Sequence, residues 1–230
     1  MSRASITAVV PAAGVGKRMG SAVPKQYLNL AGKTVLEHTV ERLLAHDAIE
    51  RVVVAIGPED QWFASLPLAT DARVVRAEGG RERADSVLNA LEFVTSDHVL
   101  VHDAARPCLA RGDLDALLAS AQQPQGAILA CRVRDTMKRG DGQGAILESV
   151  SRDELWHALT PQCFATPSLR RALSDALAKG LAVTDEASAM ELAGVHPLLV
   201  EGRADNIKIT RPEDLALAGF FLQQLKENNE

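Results

Sequence analysis

Apolar and polar residues alternate along this chain in blocks that predict two kinds of element. Short runs of aliphatic, mostly β-branched residues predict strands at 6–10, 51–56, 73–77, 97–102, 126–131, 196–200 and 206–209. Their near-continuous hydrophobicity is the pattern of strands covered on both faces. Between them, apolar positions at helical spacing predict helices at 34–46, 59–65, 83–94, 112–121, 167–179, 185–193 and 212–226. Two of these begin on capping-box spacings, Thr34-x-x-Glu37 and Thr210-x-x-Glu213, and Pro167 suits a first helical turn. Strands alternating with helices through right-handed crossovers build a mostly parallel sheet between helical layers. The expected class is therefore a three-layer α/β domain, with residues 1–230 as a single unit. Such sheets bind ligands beyond the carboxyl ends of their strands.

One stretch breaks the rhythm. Residues 132–156 hold short alternating segments around Gly140-Asp141-Gly142, a hairpin signal. The pattern predicts a two-stranded arm outside the sheet. Isolated hairpins are marginal in water, so the arm either lies loose on the surface or packs on another subunit.

Composition narrows the picture. At 47% hydrophobic but only 3% aromatic, the core must be built from Val, Leu, Ile and Ala, as parallel sheets require. A net charge of −5 excludes a general basic surface for nucleic acid. The 3 cysteines are too few and too scattered for a disulfide framework or a zinc site, which points to a reducing, cytoplasmic setting. No apolar run reaches the length of a membrane span, and a first strand at residue 6 leaves no room for a signal peptide.

Against this acidic background, one local cluster of cations stands out. The strand at 6–10 runs into Pro11-Ala-Ala-Gly-Val-Gly-Lys-Arg-Met-Gly-Ser-Ala-Val-Pro-Lys-Gln-Tyr27. Bare backbone at Ala12, Ala13, Gly14 and Gly16 lets N–H groups converge on an anion, and Lys17, Arg18 and Lys25 supply full positive charge. A Walker A loop is excluded, because Gly14 and Gly16 are too close together and Arg18 follows the Lys. The dinucleotide fingerprint is excluded because Met19 stands where its third glycine belongs. A merely basic tight turn would gather positive charge without an anion to offset it. The loop reads as a third way to hold a triphosphate.

Other segments carry chemistry with a plainer alternative beside each. In Val99-Leu-Val-His-Asp103-Ala-Ala-Arg106-Pro, a strand delivers Asp103 to the same rim as the glycine loop. A carboxylate facing a triphosphate implies a divalent cation between them, and magnesium fits; the alternative is a helix N-cap. His102 reads as a satisfied strand-end histidine rather than a catalyst. Glu78-Gly-Gly-Arg-Glu-Arg-Ala-Asp-Ser86 is either a base-reading loop or an ordinary strand-helix connection. Thr184 is a natural N-cap, and Lys208 lies in an apolar strand pattern where a cation needs an anionic partner, either a carboxylate or a substrate phosphate. Nothing in the spacing makes Asp205 a metal contact.

These segments recur in order with Pro24-Lys-Gln-Tyr, Arg134-Asp-Thr136, Leu155-Trp-His-Ala-Leu-Thr-Pro-Gln162, Thr184-Asp-Glu-Ala-Ser and Glu201-Gly-Arg-Ala-Asp-Asn-Ile-Lys-Ile-Thr-x-Pro-Glu-Asp-Leu215. From residue 6 to about 221 the chain closely resembles the 2-C-methyl-D-erythritol 4-phosphate cytidylyltransferases of the non-mevalonate isoprenoid pathway. The resemblance implies a Rossmann-like nucleotidyltransferase domain with a protruding β-hairpin arm. It assigns Ala12, Ala13, Gly14 and Gly16 to CTP, with Gly80 and Ser86 near cytosine. Arg18 and Lys25 stabilise the transition state at the α-phosphate, and Asp103 serves magnesium. Arg106, Thr184 and Lys208 contact the methylerythritol phosphate, as Asp103 does. Thr136 and Arg152, on the arm, reach the active site of a partner subunit, so the resemblance implies a homodimer. Arg81 stands where some relatives carry Asp, and its role stays open.

The expected chemistry follows from charge. A phosphate monoester carries about −1.5 to −2 charges near neutrality, so the nucleophile needs no general base. What the protein must supply is positioning and offset of repulsion between two polyanions. A ribitol 5-phosphate cytidylyltransferase is the nearest rival, though the Arg134-Asp-Thr-Met-Lys arm and the 201–208 stretch look more like the erythritol branch. A non-catalytic nucleotide-binding module would be expected to lack Arg18, Lys25 or Asp103, and all three are present.

Overall fold

The aliphatic runs become strands of one twisted sheet in the computed structural model of the chain, which describes residues 5–14 and 23–228. Among the described residues the strands are β1 (Ile6–Pro11), β2 (Asn29–Leu30), β3 (Lys33–Thr34), β4 (Ile49–Ile56), β5 (Val74–Glu78), β6 (His98–Val101), β7 (Ala127–Arg132), β8 (Met137–Gly140), β9 (Ile146–Val150), β10 (Trp156–Ala165) and β11 (Leu198–Glu201). The helices are α1 (Val35–Leu44), α2 (Arg83–Leu91), α3 (Arg111–Ser120), α4 (Thr166–Ala178), α5 (Glu186–Leu192) and α6 (Pro212–Glu227). The main sheet has seven strands in the order β11-β7-β10-β6-β1-β4-β5, while β2-β3 and β8-β9 form separate ribbons. All pairings in the main sheet are parallel except those of β10, which runs antiparallel to both β6 and β7.

Side-chain alternation makes the three layers. Ile6, Ala8 and Val10 of β1 pack toward α1 and α3, meeting Leu36, Val40, Leu114 and Leu117. Val9 points the other way, into Val87, Leu91, Leu169, Leu173 and Met190 of α2, α4 and α5. Each wholly buried leucine in these layers contributes about 2 kcal/mol of hydrophobic stabilisation. A third cluster joins Ala218, Leu222 and Leu225 of α6 to Leu30, Val35 and Ala105. This packing seats α6 beyond the carboxyl end of β6.

Several expectations needed correction. No strand was expected at 156–165, yet β10 fills the centre of the sheet. Its Pro161 argues against a central strand. The structure accommodates it with a cis Thr160-Pro161 peptide and a register shift between Ala158 and Gln162. The run at 206–209 is not a strand. Its Asn206 carbonyl accepts from Arg106 Nη1 at 2.6 Å instead of from a ladder partner, and only Ile209 N–H reaches across, to the Ala105 carbonyl. The helix expected at 59–65 is replaced by two 3-10 turns, Phe63–Ser65 and Pro67–Thr70. There the Asp60 carboxylate takes the Trp62 and Phe63 N–H groups, and Pro67 opens the second turn.

The Thr34/Glu37 capping box forms as expected. The second box moves by one residue: Asp214, not Glu213, accepts the N–H groups of Thr210 and Arg211. The arm is the β8-β9 hairpin. Its turn is closed by the Asp141 carboxylate, which accepts from Gln143 and Ala145 N–H, and its positive φ falls on Gly144.

Gly126 enters β7 at φ +71°, and an added Cβ would lie 2.7 Å from the Cys163 carbonyl oxygen and 2.3 Å from the Phe164 ring. Gly126→Ala should therefore destabilise the fold by about 3 kcal/mol, from overpacking plus a left-handed backbone. Urea denaturation checks this, and an unchanged midpoint would contradict the packing described.

Candidate functional site

Several strand ends and loops converge on one cleft. Its main cavity, about 310 Å³, is lined by Ala12, Ala13 and Gly14 after β1, Lys25 and Gln26, the Gly80–Ser86 turn, Asp103 to Ala105 after β6, and Lys208. A second cavity of about 260 Å³ adjoins it, lined among others by Arg83, Asp103, Arg106, Thr184 and Lys208.

Small residues make the first cavity. Ala12 continues the β1 ladder, donating its N–H to Ala55 O at 2.7 Å. Ala13 then lies so close to Gly79 that a Cβ there would stand 2.3 Å from the Ala13 methyl. A Cβ on Gly80 would meet Asp85 at 2.2 Å, so both glycines of the second loop are sterically required. Gly14 faces open space and is not among the positive-φ residues. Gly16 and Arg18, with Lys17 and Met19, lie outside the described residues.

Lys25 reaches toward the segment that carries Lys208. Its Nζ donates to Ile209 O at 2.8 Å. Next to it, buried Gln26 donates from Nε2 to Ala12 O at 2.6 Å and to Gly14 O at 3.1 Å. That carboxamide neutralises two carbonyl oxygens that would otherwise repel an anion in the loop. Tyr27 donates to Asp60 Oδ2 at 2.6 Å and stacks on Trp62. Burial first, then Asp60, pushes the phenol far above its ordinary pKa. Ser86 closes the second loop, its Oγ accepting from Gly80 N–H at 2.9 Å and donating to the Glu82 carbonyl.

The electrostatic centre is Asp103. Its Oδ1 accepts from Arg83 Nε at 3.0 Å and its Oδ2 from Lys208 Nζ at 2.8 Å, with Arg106 Nε 3.6 Å from Oδ2. Burial alone would raise this carboxyl, but Arg83, Lys208 and Arg106 outweigh it and hold the group well below the usual carboxylate range. Asp103 is thus ionised, and it caps no helix. Arg83 spends its other donors on Glu186, with Nη1 to Oε1 at 2.7 Å and Nη2 to Oε2 at 2.9 Å. Burial lowers the Arg83 pKa, yet Glu186 and Asp103 together more than offset it. Arg106 donates to Asn206 O, and its buried Nε has no hydrogen-bond partner among the described residues.

His102 is wholly buried. Its Nε2 meets the Arg106 carbonyl at 3.0 Å, and its Nδ1 meets Thr160 Oγ1 at 2.9 Å. A carbonyl can only accept, so Nε2 carries the proton and Nδ1 receives the Thr160 hydroxyl. The same Thr160 oxygen accepts the Asp103 backbone N–H at 3.0 Å. Burial lowers the imidazole pKa to about 4. His102 is the satisfied strand-end histidine that the sequence suggested.

Thr184 sits exposed at the mouth of the second cavity; the N-cap of α5 is Asp185, whose side chain accepts from Ser188 N–H. Thr136 and Arg152 line neither cavity and are exposed on the arm segment, where the Arg152 guanidinium bonds the Arg134 carbonyl. Asp205 is paired with Arg203. Arg81 lines the first cavity. Among the described residues no three His, Cys, Asp or Glu side chains cluster as metal ligands. Asp103 keeps acceptor lone pairs beyond those taken by Arg83 and Lys208, so a magnesium ion there would have to take most of its ligands from phosphate and water rather than from a protein cage.

Arg83, Glu186, Thr160 and Gln162 escaped the sequence reading as site residues. Arg83 and Glu186 lay inside the segments singled out, but a charged residue at a helix start reads first as a cap. Gln162 Nε2 donates to Asp185, and its Oε1 accepts from Ala187 N–H, which locks α5 against β10.

The family model of 2-C-methyl-D-erythritol 4-phosphate cytidylyltransferase matches residues 6–224. The curated 2-C-methyl-D-erythritol 4-phosphate cytidylyltransferase of Aeromonas hydrophila is 64% identical over 222 residues, covering 96% of this chain and 91% of that one. The Vibrio cholerae protein of the same name is 59% identical over 230 residues, covering 98% and 99%. The crystal structure of the Thermus thermophilus protein matches with TM-score 0.81 at 34% identity, over 95% of this chain and 99% of that one.

The His102 environment sets a pH dependence. A histidine at about 4 when folded and near 6.5 when unfolded binds protons preferentially in the unfolded state between those values. Stability should rise with pH across that window, and this residue alone should remove about 3 kcal/mol on acidification. Denaturation midpoints at pH 7 and 4.5 check it: the difference should shrink in His102→Gln, and an equal difference would rule it out.

Proposed function

The chain belongs to the 2-C-methyl-D-erythritol 4-phosphate cytidylyltransferase family, and from that premise we propose how its cleft divides the work of the reaction. The reaction moves CMP from CTP to 2-C-methyl-D-erythritol 4-phosphate and releases pyrophosphate, in isoprenoid precursor biosynthesis. The observation that carries our reading is the group of cations Arg83, Arg106 and Lys208 around one buried carboxylate, with Lys25 lining the same small-residue cavity.

Ala12, Ala13, Gly14 and Gly16 receive the nucleotide, and Gly80 and Ser86 flank the base. Lys25 and Arg18 stabilise charge on the α-phosphate as the bond to pyrophosphate lengthens. Asp103 would hold magnesium, which when bound would offset charge on the triphosphate. Arg106, Thr184 and Lys208, on the adjoining cavity, orient the polyol phosphate for in-line attack. Its oxygen is already ionised, so no base is required, which agrees with a neutral His102 engaged at both nitrogens.

The acceptor side is completed by Thr136 and Arg152 of a second copy of the chain. The hairpin that displays them leaves Ile146 and Leu147 about two-thirds exposed, at 66% and 64%. A hairpin with such exposed apolar side chains is marginal alone and favours burial against another subunit. No described helix is long and apolar enough to cross a membrane, and Cys108, Cys131 and Cys163 are free thiols. Both facts suit a cytoplasmic enzyme.

Pyrophosphate release from CTP with magnesium, tested with methylerythritol phosphate and ribitol 5-phosphate separately, examines the whole reading; faster turnover of ribitol phosphate would reassign the substrate. Lys25→Ala should lower turnover by about 10²–10³ with the melting temperature unchanged, as loss of a transition-state donor does. Near-normal turnover would remove Lys25 from the chemistry. Mixing inactive Lys25→Ala with inactive Arg152→Ala subunits should restore about a quarter of wild-type activity, because each mixed dimer then holds one intact site. No recovery after verified subunit exchange would place the arm outside the partner's site.

A further inference from the structure

The two cavities share a wall, and Arg83, Asp103 and Lys208 line both. Arg83 is the first residue of α2, directly after the glycine loop. Its guanidinium is divided between two carboxylates from distant parts of the chain. Both Nη groups are taken by Glu186, and Nε alone faces Asp103 Oδ1.

Glu186 is fully buried and lines neither cavity. A buried ion pair is weak evidence for stability, since apolar replacements are often neutral or stabilising. The geometry has another consequence. A planar guanidinium gripped at both Nη atoms has lost its rotation, so the Nε–H points to one fixed place. That place is Asp103 Oδ1. Lys208 holds the other oxygen, and Thr160 holds the backbone N–H. Glu186 cannot drift either, because the start of α5 is tied to β10 through Gln162.

We propose that Arg83, gripped by Glu186, is a positioning residue for cytidylyl transfer, fixing the plane of the Asp103 carboxylate between the nucleotide and the polyol phosphate. The proposal rests on the reading of the cleft given above. A lysine cannot do this work, because its ammonium has charge but no fork.

The test is steady-state kinetics on the full-length enzyme with CTP, magnesium and methylerythritol phosphate. Arg83→Lys and Glu186→Gln should each lower kcat about 10–100-fold, the usual cost of releasing a group that orients a ligand. Both KM values should stay within about threefold, because an interaction that acts only in the transition state lowers kcat and leaves ground-state binding in place. The double variant Arg83→Met/Glu186→Met covers the case in which a single variant fails to fold. It should match or exceed the wild-type melting temperature while kcat remains low. Recovery of kcat together with melting temperature would make the pair structural and overturn the proposal. So would a single variant with normal kcat and a raised KM. If the wild-type enzyme released no pyrophosphate, the reading of the cleft would fall and the proposal with it. A normal wild type beside normal variants would sink the positioning role alone.

Discussion

Everything in the cleft is organised around an ionised carboxylate held out of water. Asp103 is buried, and burial by itself favours the neutral acid; three cations reverse that preference. Those cations come from the start of α2, the turn after β6 and the segment before α6. Because a buried charge without partners is severely penalised, these elements must arrive together for the native state to form. The charge balance therefore also acts as an assembly constraint on the carboxyl end of the sheet.

The antiparallel β10 is what makes this constraint compatible with the fold. It runs between β6 and β7 and brings Thr160 beneath both His102 and Asp103. The Thr160 carbonyl accepts from Asn206 Nδ2 at 2.8 Å, which anchors the segment carrying Lys208. One threonine thus joins the strand bearing the carboxylate to the loop bearing its cation. The layers above and below, filled with aliphatic side chains, contribute rigidity rather than chemistry.

How much of this was legible depended on whether a residue's role was local. β1, β4, β6 and β7 are aliphatic runs covered on both sides, β5 and β11 are shorter, half-exposed apolar runs at the sheet edges, and α1 to α6 show helical spacing, so periodicity found them. β10 mixes Trp156, His157, Thr160 and Gln162 around a proline, and its pairing partners lie far away in the chain. No local pattern encodes that. In the cleft, Asp103 and Lys208 were visible because a charge beside an apolar run asks for a partner, and Lys25 because it belongs to a local cluster of cations in an acidic chain. Arg83 and Glu186 are 103 residues apart, and each looks like an ordinary helix-start residue until the fold brings them within 2.7 Å. Residues 15–22, Arg18 among them, lie outside the described residues, so only the flanking positions from Gly14 back and from Val23 on are placed.

The close approach of Ala13 to Gly79 limits how this cleft can change over evolutionary time. Ala12, Ala13, Gly14 and Gly80 are already among the smallest residues available, and Gly79 stands behind Ala13 with backbone of β4 close beside it. Substitution at these positions mostly narrows the cavity and hardly ever deepens it. A lineage that came to accept a bulkier base would have to work from the rim, at residues such as Arg81 and Glu82, which are exposed and free of such crowding. The floor is a volume fixed by geometry, and the rim is where new specificity has room to arise.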